Sequence, residues 1–242
     1  MILESLKQQL LLTPYLAIAL TLSAFFLGNY LFQKMGRPTW CPGILLAALL
    51  VGLFLGLMQI SYQEYQQGAA WLVALLGPAT VALGVPLYQQ MHHIRRLWRP
   101  ILLTLPLAAM LAAFYSVFLA WLAGGSSVLL ASLAAKSVTA PIAIGITEQL
   151  GGQIPLLMGG LLITGVMATL WVNLLCRALQ ITDHRVIGFA LGINGHAIGT
   201  VRAFEISPTA GAFSSLGMGL TGVFTALLLP WAWNLLGLAV VA

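Results

Sequence analysis

Eight apolar stretches of about 16 to 25 residues follow one another along this chain, and only short polar segments separate them. A bilayer core of roughly 30 Å needs about 20 apolar residues in a helix. Because lipid cannot satisfy exposed backbone polar groups, each stretch is expected to be helical. We therefore predict an all-α, polytopic transmembrane helix bundle of about seven or eight spans, forming a single integral membrane domain over residues 1–242. The predicted spans are Pro14–Gln33, Pro42–Ile60, Ala70–Gln89, Pro100–Leu122, Ser126–Leu150, Pro155–Leu175, Val186–Val201 and Ala212–Leu236.

The scarcity of charge excludes several classes of function. Only 6% of the residues are charged, against roughly 25% in an ordinary soluble domain, so the expected partner is the lipid bilayer. The ten basic residues are too scattered for a nucleic-acid-binding face. No catalytic triad, P-loop or dinucleotide fingerprint is present, so we expect no enzyme activity and no cofactor. Cys41 and Cys176 do not form a CxxC pair, and no metal site is expected.

The basic residues predict the orientation of the chain. Lys34 and Arg37 form one cluster, and residues 92–99 form a second. Two predicted spans separate the clusters, so both fall on one side, which the positive-inside rule makes cytoplasmic. The protein is then a multi-pass protein of a bacterial inner membrane, and its N-terminus lies outside.

One predicted span leaves two alternatives open. If Ser126–Leu150 crosses the membrane, Arg177 and Arg185 lie outside. If this segment is re-entrant, both arginines lie inside, which suits the positive-inside rule better.

Helix breakers interrupt three of the stretches at bilayer depth, namely residues 76–80, 136–141 and 192–200. Broken backbone is tolerated in a membrane where protein or a water-filled cavity satisfies it, so discontinuous helices are predicted here. The first two stretches align at a spacing of 59 residues, with Thr80 on Thr139 and Gln90 on Gln149. This alignment indicates an internal repeat or a chance match between apolar helices. Paired broken segments in two halves of a chain are typical of a transporter site.

Lys136, Ser137 and Thr139 precede a helical segment that contains Pro141. This pattern is typical of a helix N-terminus inside the membrane, where free N–H groups, two hydroxyls and an ammonium suit a carboxylate. In the alternative interpretation, Lys136 extends to the membrane interface and the hydroxyls bond to their own backbone.

His196 lies close to Asn194 and between two glycines, in a segment flexible enough to bring backbone close to a ligand. A histidine here could relay a proton or donate to an anion, and a purely structural role is the alternative. Arg202 and Glu205 are three residues apart and therefore share a helical face. They form either an internal ion pair or a substrate-binding arginine with its counter-charge. Ser214 is expected to permit close helix packing.

Four motifs in order along the chain resemble the LrgB/CidB/YohK family. They are Gly77-Pro-Ala-Thr-Val-Ala-Leu with Pro86-Leu-Tyr, Lys136-Ser-Val-Thr-Ala-Pro-Ile-Ala, Gly195-His-Ala-Ile-Gly-Thr-Val-Arg-Ala-Phe-Glu, and Gly211-Ala-Phe-Ser-Ser-Leu. The usual family forms are TTPIA and ASHAIGTAR. This chain departs from them at Ala140 and at Asn194-Gly195, which puts the family's substrate preference in doubt here.

The resemblance implies two functions. Bacterial members were described as holin-like or antiholin-like partners of small LrgA/CidA membrane proteins that modulate murein hydrolase export and autolysis. Related plastid proteins are similar to glycolate/glycerate carriers, and some bacterial relatives are linked to pyruvate or acetate.

We expect a proton-coupled carrier of small monocarboxylates, with the holin-like regulator or an accessory subunit as alternatives. The expected partners are a small organic anion and a second copy in a dimer, or an LrgA/CidA-like protein. The expected substrate-binding residues are Lys136, Ser137, Thr139, Pro141, Asn194, His196, Gly199, Thr200, Arg202 and Glu205.

Overall fold

The computed structural model describes residues 14–38, 40–82, 84–89 and 91–235, and all regular structure in these ranges is α-helical. The described residues divide into two compact units between Val81 and Ala82. The helices of the first unit are α1 (Pro14–Lys34), α2 (Gly43–Met58), α3 (Tyr62–Gly68) and α4 (Ala70–Ala74), and α5 (Leu76–Ala82) contains the boundary. The helices of the second unit are α6 (Gly84–Gln89), α7 (Met91–Arg96), α8 (Trp98–Leu122), α9 (Ser127–Ala134), α10 (Ala140–Gln149), α11 (Ile154–Ala178), α12 (His184–Ile206) and α13 (Pro208–Leu235).

In the first unit, α1 and α2 pack closely because Gly28 has no side chain. A Cβ atom at this position would lie 2.7 Å from the backbone nitrogen of Ala47. The chain leaves α2 through Gln59, whose φ of 53° is left-handed, and α3 then lies at 116° to α2. Ser61 begins α3 with a capping box, in which its backbone N–H donates to the Glu64 carboxylate over 2.7 Å.

The predicted span Ala70–Gln89 is not one continuous helix. It consists of the short helices α4, α5 and α6, and residue 83 lies outside the described ranges. The break expected at residues 76–80 is also displaced, because α5 runs through Pro78. Pro78 is the third residue of α5, where a missing N–H costs no intrahelical hydrogen bond.

Helices α9 and α10 form a hairpin, called the first hairpin, with residues 135–139 as its tip. The backbone N–H of Gln153 donates to Ser132 Oγ over 2.7 Å. A straight helix would place residues 132 and 153 about 31 Å apart. The chain has therefore returned to its starting side, which favours the re-entrant interpretation of Ser126–Leu150.

Helix α12 also folds back on itself, at His196, where φ is 40° and ψ is −131°. Residues 184–195 and 197–206 form the two arms of this second hairpin. Gly199 in the second arm touches the backbone of Leu191 in the first so closely that a Cβ atom would collide with the Leu191 carbonyl. The predicted span Val186–Val201 is thus a hairpin with residues 195–197 at its tip, and it does not cross as one helix.

By length and apolar composition, four of the described helices could each cross a membrane. They are Tyr15–Lys34, Trp98–Leu122, Ile154–Ala178 and Pro208–Leu235, and the bent pair α2–α3 would make five. The predicted all-helical membrane architecture is confirmed, whereas seven or eight spans are not found in the described residues. Three predicted spans do not appear as single long helices in the described ranges, namely the broken segment Ala70–Gln89 and the two hairpins at Ser126–Leu150 and Val186–Val201.

The hairpins enter from opposite ends of α11. The first hairpin starts at the N-terminal end of α11, since Ser132 bonds to Gln153 and Lys136 lies beside Gly160. The second hairpin starts at the C-terminal end of α11. Its Leu191 packs near the end of α11, in a buried cluster with Val172 and Cys176, and Gly195 packs near the middle of that helix. With α11 as a span, the two tips approach each other from opposite faces of the membrane.

Asp183 stands outside the helical segments and caps α12. Its carboxylate accepts a hydrogen bond from the backbone N–H of Arg185 over 2.8 Å and pairs with the Arg185 guanidinium. The side-chain hydrogen bond from Arg185 lowers the pKa of Asp183 to about 2. With α8 and α11 as spans and the first hairpin returning, Arg177 and Arg185 share a side with the start of α8. This is the arrangement that the positive-inside rule prefers.

Candidate functional site

Two helices show that the hairpin tips lie at the same depth. On α11, Lys136 of the first hairpin lies beside Gly160, and His196 of the second lies beside Leu161 and Gly165. These positions are at most five residues apart, or about 7.5 Å. On α13, Thr200 bonds to the Met218 sulfur, and Ile142 of α10 lies against Gly222. These positions are four residues apart, or about 6 Å.

Lys136 is half-buried at the first tip and points towards α8. Its ammonium donates to the Tyr115 hydroxyl over 3.1 Å and lies 4.5 Å from the centre of the Tyr115 ring. A hydrogen bond and a cation–π contact thus hold the ammonium in place.

Ser137 and Thr139 are buried, with exposed fractions of 6% and 5%, and neither hydroxyl has a hydrogen-bond partner among the described residues. Thr139 is the N-cap of α10, but its side chain does not cap the helix. The first N–H groups of a helix lack intrahelical partners and attract anions. Leaving a buried hydroxyl unpaired costs about 1–3 kcal/mol, so two such groups beside a helix N-terminus favour a missing polar ligand.

His196 is 4% exposed at the second tip. Its Nε2 lies 2.9 Å from the Leu161 carbonyl oxygen of α11. The ring fits against α11 because Gly165 leaves room, and a Cβ atom there would lie 3.0 Å from His196 Cε1. Since residue 196 breaks the helix, the second arm also begins at the tip, and its positive N-terminal end lies beside the histidine.

Thr200 and Ser214 join the second arm to α13. Thr200 Oγ1 donates to the His196 carbonyl oxygen over 2.8 Å and lies 2.9 Å from Ser214 Oγ. Both side chains are buried. Thr200 therefore fixes the backbone at the tip through a local bond and links it to the neighbouring helix.

The remaining predicted residues lie around the tips in different ways. Pro141 is exposed in the first turn of α10, and Asn194 donates to the Ala190 carbonyl oxygen over 2.9 Å. Arg202 and Glu205 form an ion pair of 2.6 Å with side chains about 28% and 27% exposed. Because Arg202 is six residues beyond His196, it lies about 9 Å along the helix from the tip. The geometry fits the ion-pair interpretation of these two residues.

Two residues at the tips were not assigned to the site from sequence. Tyr115 receives the Lys136 ammonium, and Ser214, expected only to allow close packing, bonds to Thr200. Tyr115 and Ser116 are adjacent polar residues in a mostly apolar stretch, and this pattern could have indicated Tyr115. Nothing in the sequence pairs either residue with its partner on another helix.

Other features of the structure do not suit an anion. A cavity of about 280 Å³ between α8 and α13 has no charged residue in its lining. Within the described ranges, no three His, Cys, Asp or Glu side chains come together in a way that could hold a metal ion. The polar groups at the two tips therefore form the candidate site.

The chain is similar to known proteins over most of its length. The model of the LrgB-like family matches residues 21–235. An uncharacterised protein of Haemophilus influenzae is 32% identical over 92% of this chain and 96% of its own length. The holin-like protein CidB of Staphylococcus aureus is 31% identical over 89% of this chain and 93% of its own length. The CidB protein of Staphylococcus epidermidis is 29% identical, with 90% and 95% covered. No solved structure matches.

Proposed function

The chain belongs to the LrgB-like family, and from this premise we propose that it is a secondary carrier of small monocarboxylates in the bacterial inner membrane, coupled to protons. Glycolate, glycerate and pyruvate are the substrates to test first. Membership of the family makes the chain a multi-pass membrane protein but does not name a substrate. The carrier proposal is drawn from the geometry of the two tips.

A single observation carries the proposal, namely that two broken helical hairpins from opposite ends of α11 both reach this helix at neighbouring residues, Gly160 and Leu161. Discontinuous helices that meet inside the bilayer are typical of carriers, which bind substrate there and open to one side at a time. When a short hairpin from each face of the membrane reaches the site, a modest movement of either hairpin is enough to open the site to that face.

The chemistry of the tips suits a small anion with one carboxylate. Lys136 supplies a positive charge, and the N-termini of α10 and of the second arm supply two positive helix ends. The unpaired hydroxyls of Ser137 and Thr139 can donate hydrogen bonds. A polar group in lipid is costly unless it lines a cavity or has a partner, so these side chains are expected to have a ligand.

A holin-like or antiholin-like regulator is the second candidate, and the names of relatives favour it over the carrier. Two of the relatives above are named holin-like protein CidB, and no relative there is named for a carboxylate. Self-association and a hole suffice for a holin, and they do not require the pairing of Lys136 with Tyr115 or of His196 with Leu161.

The test uses purified protein in liposomes. A carrier accumulates labelled glycolate, glycerate or pyruvate above the level of protein-free vesicles and retains a trapped dye. A holin releases both dye and label without selection by size or charge, and that result would refute the carrier proposal.

Two alanine variants test whether Lys136 belongs to the site. Lys136→Ala is expected to lower uptake at least tenfold, whereas Arg177→Ala, which removes a basic side chain at the end of α11, keeps it. Equal uptake by both variants would refute the site. Adding an LrgA/CidA-like protein tests the third hypothesis, because an accessory subunit transports only when that partner is present.

A further inference from the structure

We propose that Nδ1 of His196 is the atom that takes up and releases the coupling proton, and that the Leu161 carbonyl fixes the ring for this role. The inference rests on the proposed carrier function and adds the residue, the atom and the charge balance of the coupling. It makes His196 the proton-carrying residue and Lys136 the permanent positive charge of the site.

The hydrogen bond to α11 determines which ring nitrogen of His196 can take up a proton. A carbonyl oxygen only accepts hydrogen bonds, so Nε2 of His196, 2.9 Å from the Leu161 oxygen, carries the hydrogen. In a neutral imidazole the other nitrogen, Nδ1, then has a free lone pair. Among the hydrogen bonds of the described residues, Nδ1 takes part in none.

The charges around the ring make proton uptake depend on the anion. The residues of α11 beside the ring, Leu161 and Gly165, are uncharged, and so is Thr200, which bonds to the His196 carbonyl oxygen. Lys136 of the first tip, whose side chain lies beside Gly160 of α11, brings a positive charge to the depth of the ring. An imidazolium at this depth would place two positive charges in a buried site, which is unfavourable without a negative partner.

A bound carboxylate supplies that partner. The empty site holds the Lys136 ammonium and a neutral ring, with a net charge of +1. When a monocarboxylate binds, an N–H bond forms at Nδ1 with a proton from water, and the net charge stays +1. When the anion leaves, the N–H bond breaks and the proton returns to water. The loaded and empty sites thus carry the same charge, and transport moves one anion with one proton.

The experiment compares the wild type with His196→Gln in liposomes, after subtraction of uptake by protein-free vesicles. The glutamine amide can still donate to the Leu161 carbonyl but cannot be protonated at neutral pH. We expect wild-type protein to accumulate substrate about tenfold for an outside pH one unit lower, because one pH unit corresponds to a tenfold concentration ratio at one proton per anion. A membrane voltage imposed at equal pH should drive no accumulation.

His196→Gln is expected to exchange labelled for unlabelled substrate while it loses accumulation driven by pH. Accumulation by His196→Gln at the wild-type level would overturn the inference, as would accumulation by the wild type in response to voltage alone. The voltage measurement needs no variant, so it decides the charge balance even if His196→Gln fails to fold. Wild-type protein without any exchange activity would overturn the carrier function itself.

Discussion

Replacement of Gly192 by alanine tests the fold of the second hairpin. Gly192 lies in the first arm, where its backbone touches that of Ser214 in α13. A Cβ atom there would lie 2.8 Å from Ser214 Cα and closer still to the Ser214 carbonyl. Backbone atoms cannot move aside as a flexible side chain can, so the arm and α13 must separate.

The required separation sets the magnitude of the effect. Carbon atoms in contact prefer about 3.5–4.0 Å, so the two backbones must move apart by about 1 Å. Overpacking of this kind costs about 1–3 kcal/mol. The same substitution at an exposed helical glycine should stabilise the protein, since alanine is favoured over glycine in a helix by about 0.5–1 kcal/mol. Gly219 of α13 is such a control, because a Cβ atom there meets nothing within 4 Å.

Thermal unfolding of the purified protein in detergent measures the difference between Gly192→Ala and Gly219→Ala. A loss of 1 kcal/mol corresponds to about 2–4 °C in a chain of this size. We expect Gly192→Ala to unfold several degrees below the wild type, and Gly219→Ala at or slightly above it. If both variants unfold at the same temperature, the first arm does not pack against α13, and the hairpin geometry is wrong.

Three further changes test the tips and the start of α12. Thr139→Val should preserve stability and lower uptake, because it removes a buried hydroxyl that has no hydrogen-bond partner among the described residues. The control is Thr147→Val, which removes another such hydroxyl and should leave uptake unchanged. Equal uptake by the two variants would contradict the role of Thr139. Tyr115→Phe should weaken substrate binding more than it lowers the maximal rate, since the Lys136 ammonium loses a 3.1 Å hydrogen bond but keeps its cation–π contact with the ring. An unchanged KM in liposome uptake would contradict this prediction. Asp183 has a folded pKa of about 2, below its ordinary value of 3.8, so its stabilising contribution is present above pH 4 and is lost as the pH falls towards 2. The contribution is small at this exposed position, and Asp183→Asn should unfold slightly below the wild type at pH 5 and together with it near pH 2.

The ends of the long helices could be predicted from sequence because local rules determine them. Proline in the first turn of α11 and the polar residues that begin with Arg177 place that helix within a few residues of the prediction. The same holds for α8 and α13. Each of these helices is long enough to bury its backbone in lipid by itself, so no distant contact is needed to define it.

The candidate site was only half predictable. Lys136 and His196 are indicated by polar residues beside helix breakers, since a charged or titratable group at bilayer depth requires a local reason to be there. Their partners, Tyr115 and the Leu161 carbonyl, come from helices that are separate in sequence. Tyr115 is indicated only by its polar neighbour Ser116, and a backbone oxygen carries no sequence pattern.

The fold-back at each tip depends on contacts that composition does not encode. The sequence predicts a crossing at Val186–Val201, because a straight helix there would satisfy its own backbone hydrogen bonds. The hairpin is favoured only because Gly199 can approach Leu191 and because Thr200 bonds both to His196 and to Ser214. The left-handed backbone at His196 is unfavourable for a residue with a side chain and needs these contacts to persist. In the proposed carrier, a residue held in this way where two hairpins reach α11 can respond to a change in its ligand, a role that a continuous helix could not supply.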